Sequence, residues 1–259
     1  MTASGRPLNR AQLAAIVLTR NEEKHLPDCL SSLAWAPEVI VFDSFSTDGT
    51  LAAAKAAGAR VEQRIFDDYA SQRQAALAVT GAEWVLFVDA DERATPELAD
   101  EIGSVLSRPE PGWWIPRDNY IFGRLTRHAG WYPDYQLRLM RRSLAHYDRT
   151  RPVHELVTLD SPTPAGQLAH ALIHLNYETV NEFVHKQRAY ARYDAGQLWS
   201  QGTRARARNF VFQPARQFYW RWITLNGWRA GAHGLRLSLL MAYFEWQKYS
   251  ELRRLNRSR

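Results

Sequence analysis

The sequence has 259 residues, of which 46% are hydrophobic and 12% aromatic, and its formal net charge is +6. This length fits one sizeable domain, alone or with an appendage, and the apolar fraction is enough for a large core. The single cysteine, Cys29, excludes an internal disulfide framework and is typical of a reducing compartment. The start of the chain is polar and no apolar run is long enough to span a bilayer, so we expect a cytoplasmic protein without a signal peptide.

The first part of the chain alternates between two hydrophobic patterns. Apolar runs with the length and composition of buried strands lie at 13–18, 38–42 and 84–88, and a further strand is predicted over 59–64. Helical spacing occurs between them, up to residue 33 and over 51–57 and 69–79. This alternation predicts an α/β fold, in which helices cover both faces of a mostly parallel sheet.

The pattern changes after a helix predicted over 96–106. Short strands are predicted at 113–116, 119–123, 135–140, 154–159 and 172–175, and the strand at 135–140 alternates polar and apolar residues as a half-buried strand does. These strands predict an α+β second half that extends the sheet. From Asn181 onward the chain reads as helical and strongly aromatic.

The positive charge is concentrated in this last part. Residues 180–259 hold 15 Lys and Arg against 4 Asp and Glu, a net charge of +11, whereas residues 1–179 have a net charge of −5. A basic cluster lies at 204–208, and arginines separate the aromatic residues of 210–225. A basic tail predicts an anionic partner: a membrane surface, a phosphorylated acceptor or a nucleic acid.

Polar residues follow three of the predicted strands. They are residues 19–23 (TRNEE), 43–50 (DSFSTDGT) and 89–92 (DADE). Open α/β sheets bind their ligands at the carboxyl ends of the strands. The paired carboxylates Asp89 and Asp91 suit Mg²⁺ or Mn²⁺, which can bridge the diphosphate of a nucleotide. The alternative is a strand end followed by a helix start at 95–97.

The three motifs and their spacing resemble the nucleotide-sugar-binding half of family 2 glycosyltransferases, which have the GT-A fold. The resemblance continues through residues 131–139 (WYPDYQLRL) and 153–155 (VHE), which are similar to the bacterial branch of lipopolysaccharide-core β-glucosyltransferases. It implies a GT-A domain over 11–178, with a nucleotide-sugar half (11–107) and an acceptor half (108–178), followed by a basic aromatic helical extension over 179–259. One departure is Phe45, where many relatives carry Gly, and we expect it to alter the loop backbone.

The resemblance also implies roles for individual residues. Those at the nucleotide sugar are Thr19, Arg20, Asn21, Glu22, Asp43, Asp48, Arg73 and Asp89. Carboxylates suit ribose hydroxyls because they accept charge-assisted hydrogen bonds. Asn21, Asp43 and Asp48 are also explained as turn and cap residues. Asp91 is implied as the ligand of Mg²⁺ or Mn²⁺, with Asp89 facing the ribose or the metal, and we interpret Glu92 as a helix-start residue.

Inverting glycosyl transfer needs a base that takes the proton of the acceptor hydroxyl. The candidates are Asp134 and Glu155, with a slight preference for Asp134; a turn residue and an ion-pair partner are the respective alternatives. Acceptor or phosphate contacts are predicted for Trp131, Arg138 and His154, although Trp131 is equally explained as a core residue. We interpret His170 and His174 as core or surface histidines and leave open a role for His174 at the site.

We therefore expect an inverting, metal-dependent hexosyltransferase that moves glucose from a nucleoside-diphosphate sugar, preferably UDP-glucose, to a lipopolysaccharide-core or other cell-envelope saccharide. The alternatives are a peptide or other lipid-linked acceptor and, less favoured, a nucleotidyltransferase, because residues 19–23 do not form a Gly-rich phosphate loop. Binding of nucleic acid is disfavoured, since the acidic strand ends would repel phosphate. The basic aromatic tail favours peripheral association with the anionic inner face of the cytoplasmic membrane.

Overall fold

The computed structural model describes residues 12–147 and 157–257. The strands in these ranges are β1 (Leu13–Thr19), β2 (Glu38–Asp43), β3 (Arg60–Gln63), β4 (Trp84–Asp89), β5 (Glu92–Arg93), β6 (Gly112–Ile121), β7 (Arg124–Leu125), β8 (Tyr135–Arg141), β9 (Ala145–Tyr147), β10 (Val157–Leu159), β11 (Gly166–Gln167) and β12 (Leu172–Tyr177). The α-helices are α1 (Leu26–Ser32), α2 (Thr50–Ala56), α3 (Tyr69–Leu77), α4 (Pro96–Val105), α5 (Val180–Ser200), α6 (Asn209–Tyr219) and α7 (Gly231–Arg257). A π-helical turn, Trp220–Thr224, continues directly from α6.

Parallel strands in the order β3-β2-β1-β4 form one side of the sheet. β1 pairs with β2 up to Thr19↔Asp43 and with β4 up to Leu18↔Asp89. β8 then adds antiparallel to β4, and β6 antiparallel to β8. Because β1, β2 and β4 run in the same direction and in register, the three polar motifs that follow them begin at the same edge of the sheet.

The two central strands, β1 and β4, are apolar along almost their whole length because both of their faces are buried. Ala15 and Val17 pack in a cluster with residues of α1 and α4, whereas Ile16 and Phe87 pack with residues of α3. Successive side chains of a strand point to opposite faces, so the two clusters lie on opposite sides of the sheet. The prediction of an α/β fold with helices on both faces of a mostly parallel sheet is confirmed.

The chain forms two compact units. The first contains the described residues up to Arg117 together with Tyr135–His174, and the second contains Asp118–Asp134 and the chain from Leu175 onward. Within the second unit, Phe122 and Trp131 pack with the helical part of the chain, and the domain boundary after residue 178 stays a prediction. The ring centroids of Phe122 and Phe183 are 5.7 Å apart, and those of Trp131 and Tyr177 are 6.1 Å apart.

The second unit is built on its helices. A buried aromatic and aliphatic cluster joins the strand ends to α5 and α7, and its members are Ile121, Tyr177, Phe183, Leu237 and Phe244. Each of these residues is nearly inaccessible to solvent. None of the helices in the described part of the chain is long and apolar enough to cross a membrane.

Candidate functional site

The carboxyl ends of β1 and β2 are joined through Asp43. Its Oδ1 atom accepts a hydrogen bond from Thr19 Oγ1 at 3.0 Å, and its Oδ2 atom accepts bonds from the Ser46 amide and from Gln63 Nε2, both at 2.9 Å. Burial raises the pKa of Asp43, but the hydrogen bonds from Ser46, Gln63 and Thr19 outweigh it and hold that pKa below its ordinary value. Asp43 is therefore an anion that shapes the loop, and its predicted contact with a nucleotide stays a prediction.

The two loops that the resemblance places at the nucleotide also bind each other. Asn21 Oδ1 accepts a hydrogen bond from the Thr47 amide at 2.8 Å, and the Asn21 amide donates to Ser46 Oγ at 2.8 Å. The Glu23 amide donates to Asp48 Oδ2 at 3.2 Å. These bonds hold the loop after β1 against the loop after β2, so a ligand at this edge would meet both.

Phe45 is the departure from the family pattern in the second loop. Its φ is +58°, in the left-handed region that glycine adopts without strain and that bulky residues rarely occupy. Its side chain is 52% exposed. The position thus has a backbone conformation suited to glycine, and the chain places an accessible aromatic ring there.

At the end of β4, Asp89 is held by arginines. Arg138 Nη1 lies 3.2 Å from Asp89 Oδ1 and its Nη2 contacts Oδ2, while Arg73 Nη2 lies 3.1 Å from Oδ1. Burial raises the pKa of Asp89, but the charges of Arg138, Arg73 and Arg117 hold it far below its ordinary value. Both carboxylate oxygens of Asp89 therefore have a cationic partner from the protein.

Glu92 continues this buried ionic network. It is 0% exposed, and its Oε1 atom lies 3.0 Å from Arg138 Nη2 and 3.2 Å from Arg117 Nη1. Its Oε2 atom accepts a hydrogen bond from the Asp89 amide at 2.9 Å. The interpretation of Glu92 as a helix-start residue is wrong, since the residue lies in β5 and α4 begins at Pro96.

Arg138 is predicted to contact the acceptor or phosphate, and that contact stays a prediction. The side chain is 6% exposed and binds both Asp89 and Glu92. Burial lowers the pKa of Arg138, but these two carboxylates outweigh that effect and raise it above the ordinary value. In this arrangement the guanidinium fixes the end of β4, and a contact with phosphate would require it to leave the two carboxylates.

Asp91, two residues beyond Asp89, has a different neighbour. Its Oδ2 atom lies 3.5 Å from His174 Nε2. The pairing of His174 with Glu92 between β12 and β5 brings the histidine to this position. Asp91 is 27% exposed and His174 is 9% exposed on their side chains, so the carboxylate stays partly open to a ligand. His170, in contrast, contacts Glu101 at 2.9 Å.

The donor set of Asp91 and His174 is suited to a divalent cation. Carboxylate oxygens suit Mg²⁺ and Mn²⁺, and imidazole suits transition metals, so the pair favours Mn²⁺ over Mg²⁺. Within residues 12–147 and 157–257, no group of three or more His, Cys, Asp or Glu side chains is arranged to hold a metal ion. Protein Mg²⁺ sites with one or two carboxylates usually complete their shell with substrate phosphates and water, so a pair of ligands is compatible with such a site.

The predicted base Asp134 lies in the second unit. Its Oδ2 atom accepts a hydrogen bond from Asn119 Nδ2 at 3.1 Å, and Asn176 Nδ2 donates to Asn119 Oδ1 at 3.0 Å. Asn119 is 0% exposed, so this chain of amides orients the Asp134 carboxylate from a fixed support. Trp131 packs with Tyr177 as a core residue does. The other two predicted residues, His154 and Glu155, lie outside the described residues.

The family model for glycosyl transferase family 2 matches residues 14–149, more than half of the chain. The chain belongs to glycosyl transferase family 2. The matched range contains the three strand-end motifs and Asp134, which is the region where the sequence resemblance was found. The resemblance to this family is therefore confirmed.

Two relatives match this family 2 glycosyltransferase over most of its length. The lipopolysaccharide core biosynthesis glycosyltransferase LpsC of Rhizobium meliloti is 30% identical over 238 residues, which cover 86% of this chain and 84% of LpsC. The uncharacterized glycosyltransferase RC0292 of Rickettsia conorii is 24% identical over 253 residues, which cover 93% of this chain and 90% of that protein. Both alignments extend well beyond the range of the family model.

Among solved structures, glucosyl-3-phosphoglycerate synthase of Mycobacterium tuberculosis in complex with phosphoglyceric acid is similar to this family 2 glycosyltransferase. The identity is 18%, the TM-score is 0.49, and the match covers 74% of this chain and 80% of that chain.

The site contains residues that the sequence pattern did not indicate. Arg117 has no motif around it, and His174 was not separable from an ordinary core histidine by spacing. Both are brought to the end of β4 by strand pairing: β6 supplies Arg117 and β12 supplies His174. Sequence spacing carries no signal for such contacts, because the partners lie far apart along the chain.

Proposed function

We propose that this family 2 glycosyltransferase is an inverting, metal-dependent hexosyltransferase that works in the cytoplasm. It transfers glucose from UDP-glucose to a lipopolysaccharide-core or other cell-envelope saccharide. The observation that carries the proposal is the partly open Asp91–His174 pair. Asp91 follows β4 at the edge where the two hydrogen-bonded loops begin, and His174 reaches it from β12. The relative LpsC, named for lipopolysaccharide core biosynthesis, supports the class of acceptor.

The nucleotide is proposed to bind along the loops after β1 and β2. The bonds between Asn21 and Thr47 fix the shape of this edge before a ligand arrives. Arg20 is exposed beside them and supplies a cation for an anionic donor. Preorganised loops of this kind lower the entropy that binding would otherwise cost.

Asp91 and His174 are proposed to hold Mn²⁺ or Mg²⁺. When bound, the ion supplies Lewis-acid stabilisation of the charge that develops on the leaving nucleoside diphosphate. Asp89 is not included in this ligand set, because Arg138 and Arg73 bind its two oxygens. We assign to Asp89 the positioning of the strand end from which Asp91 follows.

Asp134 is proposed as the base. It takes the proton of the acceptor hydroxyl while that oxygen forms a bond to C1 of the sugar and the bond from C1 to the diphosphate breaks, which inverts the configuration at C1. Asn119 keeps the Asp134 carboxylate oriented through its bond of 3.1 Å. Glu155 is the alternative base.

Calorimetric titration with UDP, GDP, CDP and dTDP sugars, with and without Mn²⁺, tests the donor. We expect binding of UDP-glucose that depends on Mn²⁺, and the absence of a metal-dependent response to every donor would refute the proposal. The donor found in this way is then used in transfer assays with a core oligosaccharide, a lipid-linked saccharide and a peptide. Transfer to the peptide alone would exclude the proposed acceptor class.

A further inference from the structure

Helix α6 and the π-helical turn that follows it expose one continuous face. Along 211–224, pairs of exposed residues recur every four positions, which places them on a single face of the helix. We call this surface the outer face of α6, and its members are Val211, Phe212, Ala215, Arg216, Tyr219, Trp220, Ile223 and Thr224. Six of these eight side chains are apolar or aromatic.

The large residues of this face are well exposed. Phe212 is 68% exposed, Tyr219 is 60% and Trp220 is 45%. Single exposed apolar residues are ordinary on a protein surface, whereas contiguous ones mark an interaction site. The opposite side of α6 packs within the unit, where Phe210 meets Trp246 with ring centroids 6.3 Å apart.

The charge along the part of the chain that contains this face has one sign. No Asp or Glu occurs between Asp194 and Glu245, but seven arginines do: Arg204, Arg206, Arg208, Arg216, Arg221, Arg229 and Arg236. All of them except Arg221 are exposed. Three of the exposed arginines, at 204, 206 and 208, directly precede α6, so cations gather at the amino end of the apolar face.

A helix with an apolar aromatic face and flanking arginines fits the interface of an anionic bilayer. Trp and Tyr rings favour the headgroup level, arginine side chains reach the lipid phosphates, and the apolar residues enter the acyl boundary. We propose that the outer face of α6 docks the enzyme on an anionic membrane, with the helix lying in the plane of the interface. Phe212, Trp220 and Ile223 are the inserted residues.

The proposed acceptor is a saccharide built on a lipid, and docking on the membrane would bring the enzyme to it. The docking proposal rests on the proposed function in this respect only. Vesicle binding is measured without donor or acceptor, so a failure of the docking surface is distinguishable from a failure of the proposed reaction. Equally, if UDP-glucose proves not to be the donor, the proposal of a docking surface is unaffected.

Co-sedimentation of the full chain with vesicles tests the proposal. We expect binding to phosphatidylcholine vesicles that contain about one-third phosphatidylglycerol, weaker binding as salt is raised, and no binding to pure phosphatidylcholine. The variant Phe212→Ser/Trp220→Ser/Ile223→Ser should bind at least about tenfold more weakly. Tyr190→Ser on α5, where the native ring is 56% exposed, is the matched control and should bind like the native protein.

A second variant, Arg204→Gln/Arg206→Gln/Arg208→Gln, separates charge from insertion and keeps the apolar face intact. Its affinity for anionic vesicles should fall by about fivefold for each arginine removed. Equal binding to neutral and anionic vesicles, or no binding at all, would overturn the proposal. The proposal would also be overturned if sedimentation velocity showed a dimer that the Phe212→Ser/Trp220→Ser/Ile223→Ser variant disrupts. The outer face of α6 would then be covered by a second copy of the chain.

Discussion

The Nε2 atom of His174 lies 3.5 Å from the Oδ2 atom of Asp91, and this approach is created by the pairing of β12 with β5. Asp89, only two residues earlier, is instead bound by Arg138 and Arg73. Two neighbouring carboxylates thus have different environments. Asp89 forms ion pairs with two arginines, and Asp91 remains partly exposed beside an imidazole. This difference separates a positioning residue from a candidate metal ligand.

Replacing either member of the Asp91–His174 pair should strongly weaken metal-dependent donor binding. We expect Asp91→Asn and His174→Ala to weaken Mn²⁺-dependent binding of UDP-glucose by about a hundredfold or more, because each removes one of two protein ligands. The measurement is calorimetric titration in Mn²⁺ and in EDTA. His170→Ala is the control, since His170 contacts Glu101 and not Asp91, and it should bind normally. Unchanged metal dependence in His174→Ala would remove the histidine from the ligand set.

The buried network around Arg138 should be important for stability. Arg138→Gln leaves Asp89 and the fully buried Glu92 with one cation fewer, so we expect the free energy of unfolding to fall by about 3 kcal/mol. Urea denaturation measures the change. Arg192→Gln is the control, because Arg192 is 70% exposed in its pair with Glu251 and such pairs contribute less than about 1 kcal/mol. Similar losses in the two variants would contradict the assignment of a structural role to Arg138.

The depressed pKa of Asp89 predicts a loss of stability in acid. Its folded-state pKa lies below the ordinary value of 3.8, so its contribution is complete above that value and is lost as the pH falls through it toward the folded-state pKa. The melting temperature of the native protein should therefore drop as the pH is lowered below about 4, and the drop should be shallower in Asp89→Asn. Parallel melting curves for the two proteins across this range would show that Asp89 does not carry the effect.

The proposed base predicts a separation of binding from turnover. Asp134→Asn should keep the native affinity for UDP-glucose and lower kcat by about 10²–10⁴-fold, which is the usual contribution of a general base. Glu155→Gln serves as the comparison in the same assay. If Glu155→Gln loses turnover while Asp134→Asn does not, the base is reassigned to Glu155.

Asn119 offers a further test of the same assignment. Asn119→Asp replaces the amide donor that orients Asp134 with a carboxylate. It should raise the pH at which kcat reaches half its maximum, because a like charge beside a base raises its pKa. A pH–rate profile measures this shift, which a purely structural role for Asn119 would not produce.

The parallel sheet and its helices could be predicted because their signals are local. Residues 13–18 and 84–88 are apolar along their length, and helical spacing separates the strands, so the order of elements follows from short stretches of sequence. The three strand-end motifs were likewise readable, since each is a contiguous run, and together they pointed to the family that the comparison identifies. The site roles of Asp91 and Asp134 remain predictions.

Other features depended on partners far away along the chain. Glu92 lies three residues before the N-cap of α4, Thr95, so its sequence position favours a helix-start residue. Its environment is instead set by Arg117 and Arg138. Likewise, nothing in the residues near Asp89 indicates that two arginines bind its oxygens. The outer face of α6 also needed the structure, because aromatic residues at helical spacing are typical of both a core and an exposed stripe.

The sequence by itself therefore determined the family, the order of strands and helices, and the edge of the sheet at which polar groups gather. These properties depend on periodicity and on contiguous motifs. Only the tertiary structure decided that Asp89 is paired with arginines, that Asp91 remains partly exposed, and that His174 lies beside Asp91. The physical reason is that the charge state and accessibility of a carboxylate depend on which distant side chains the strand pairing brings within a few ångströms of it.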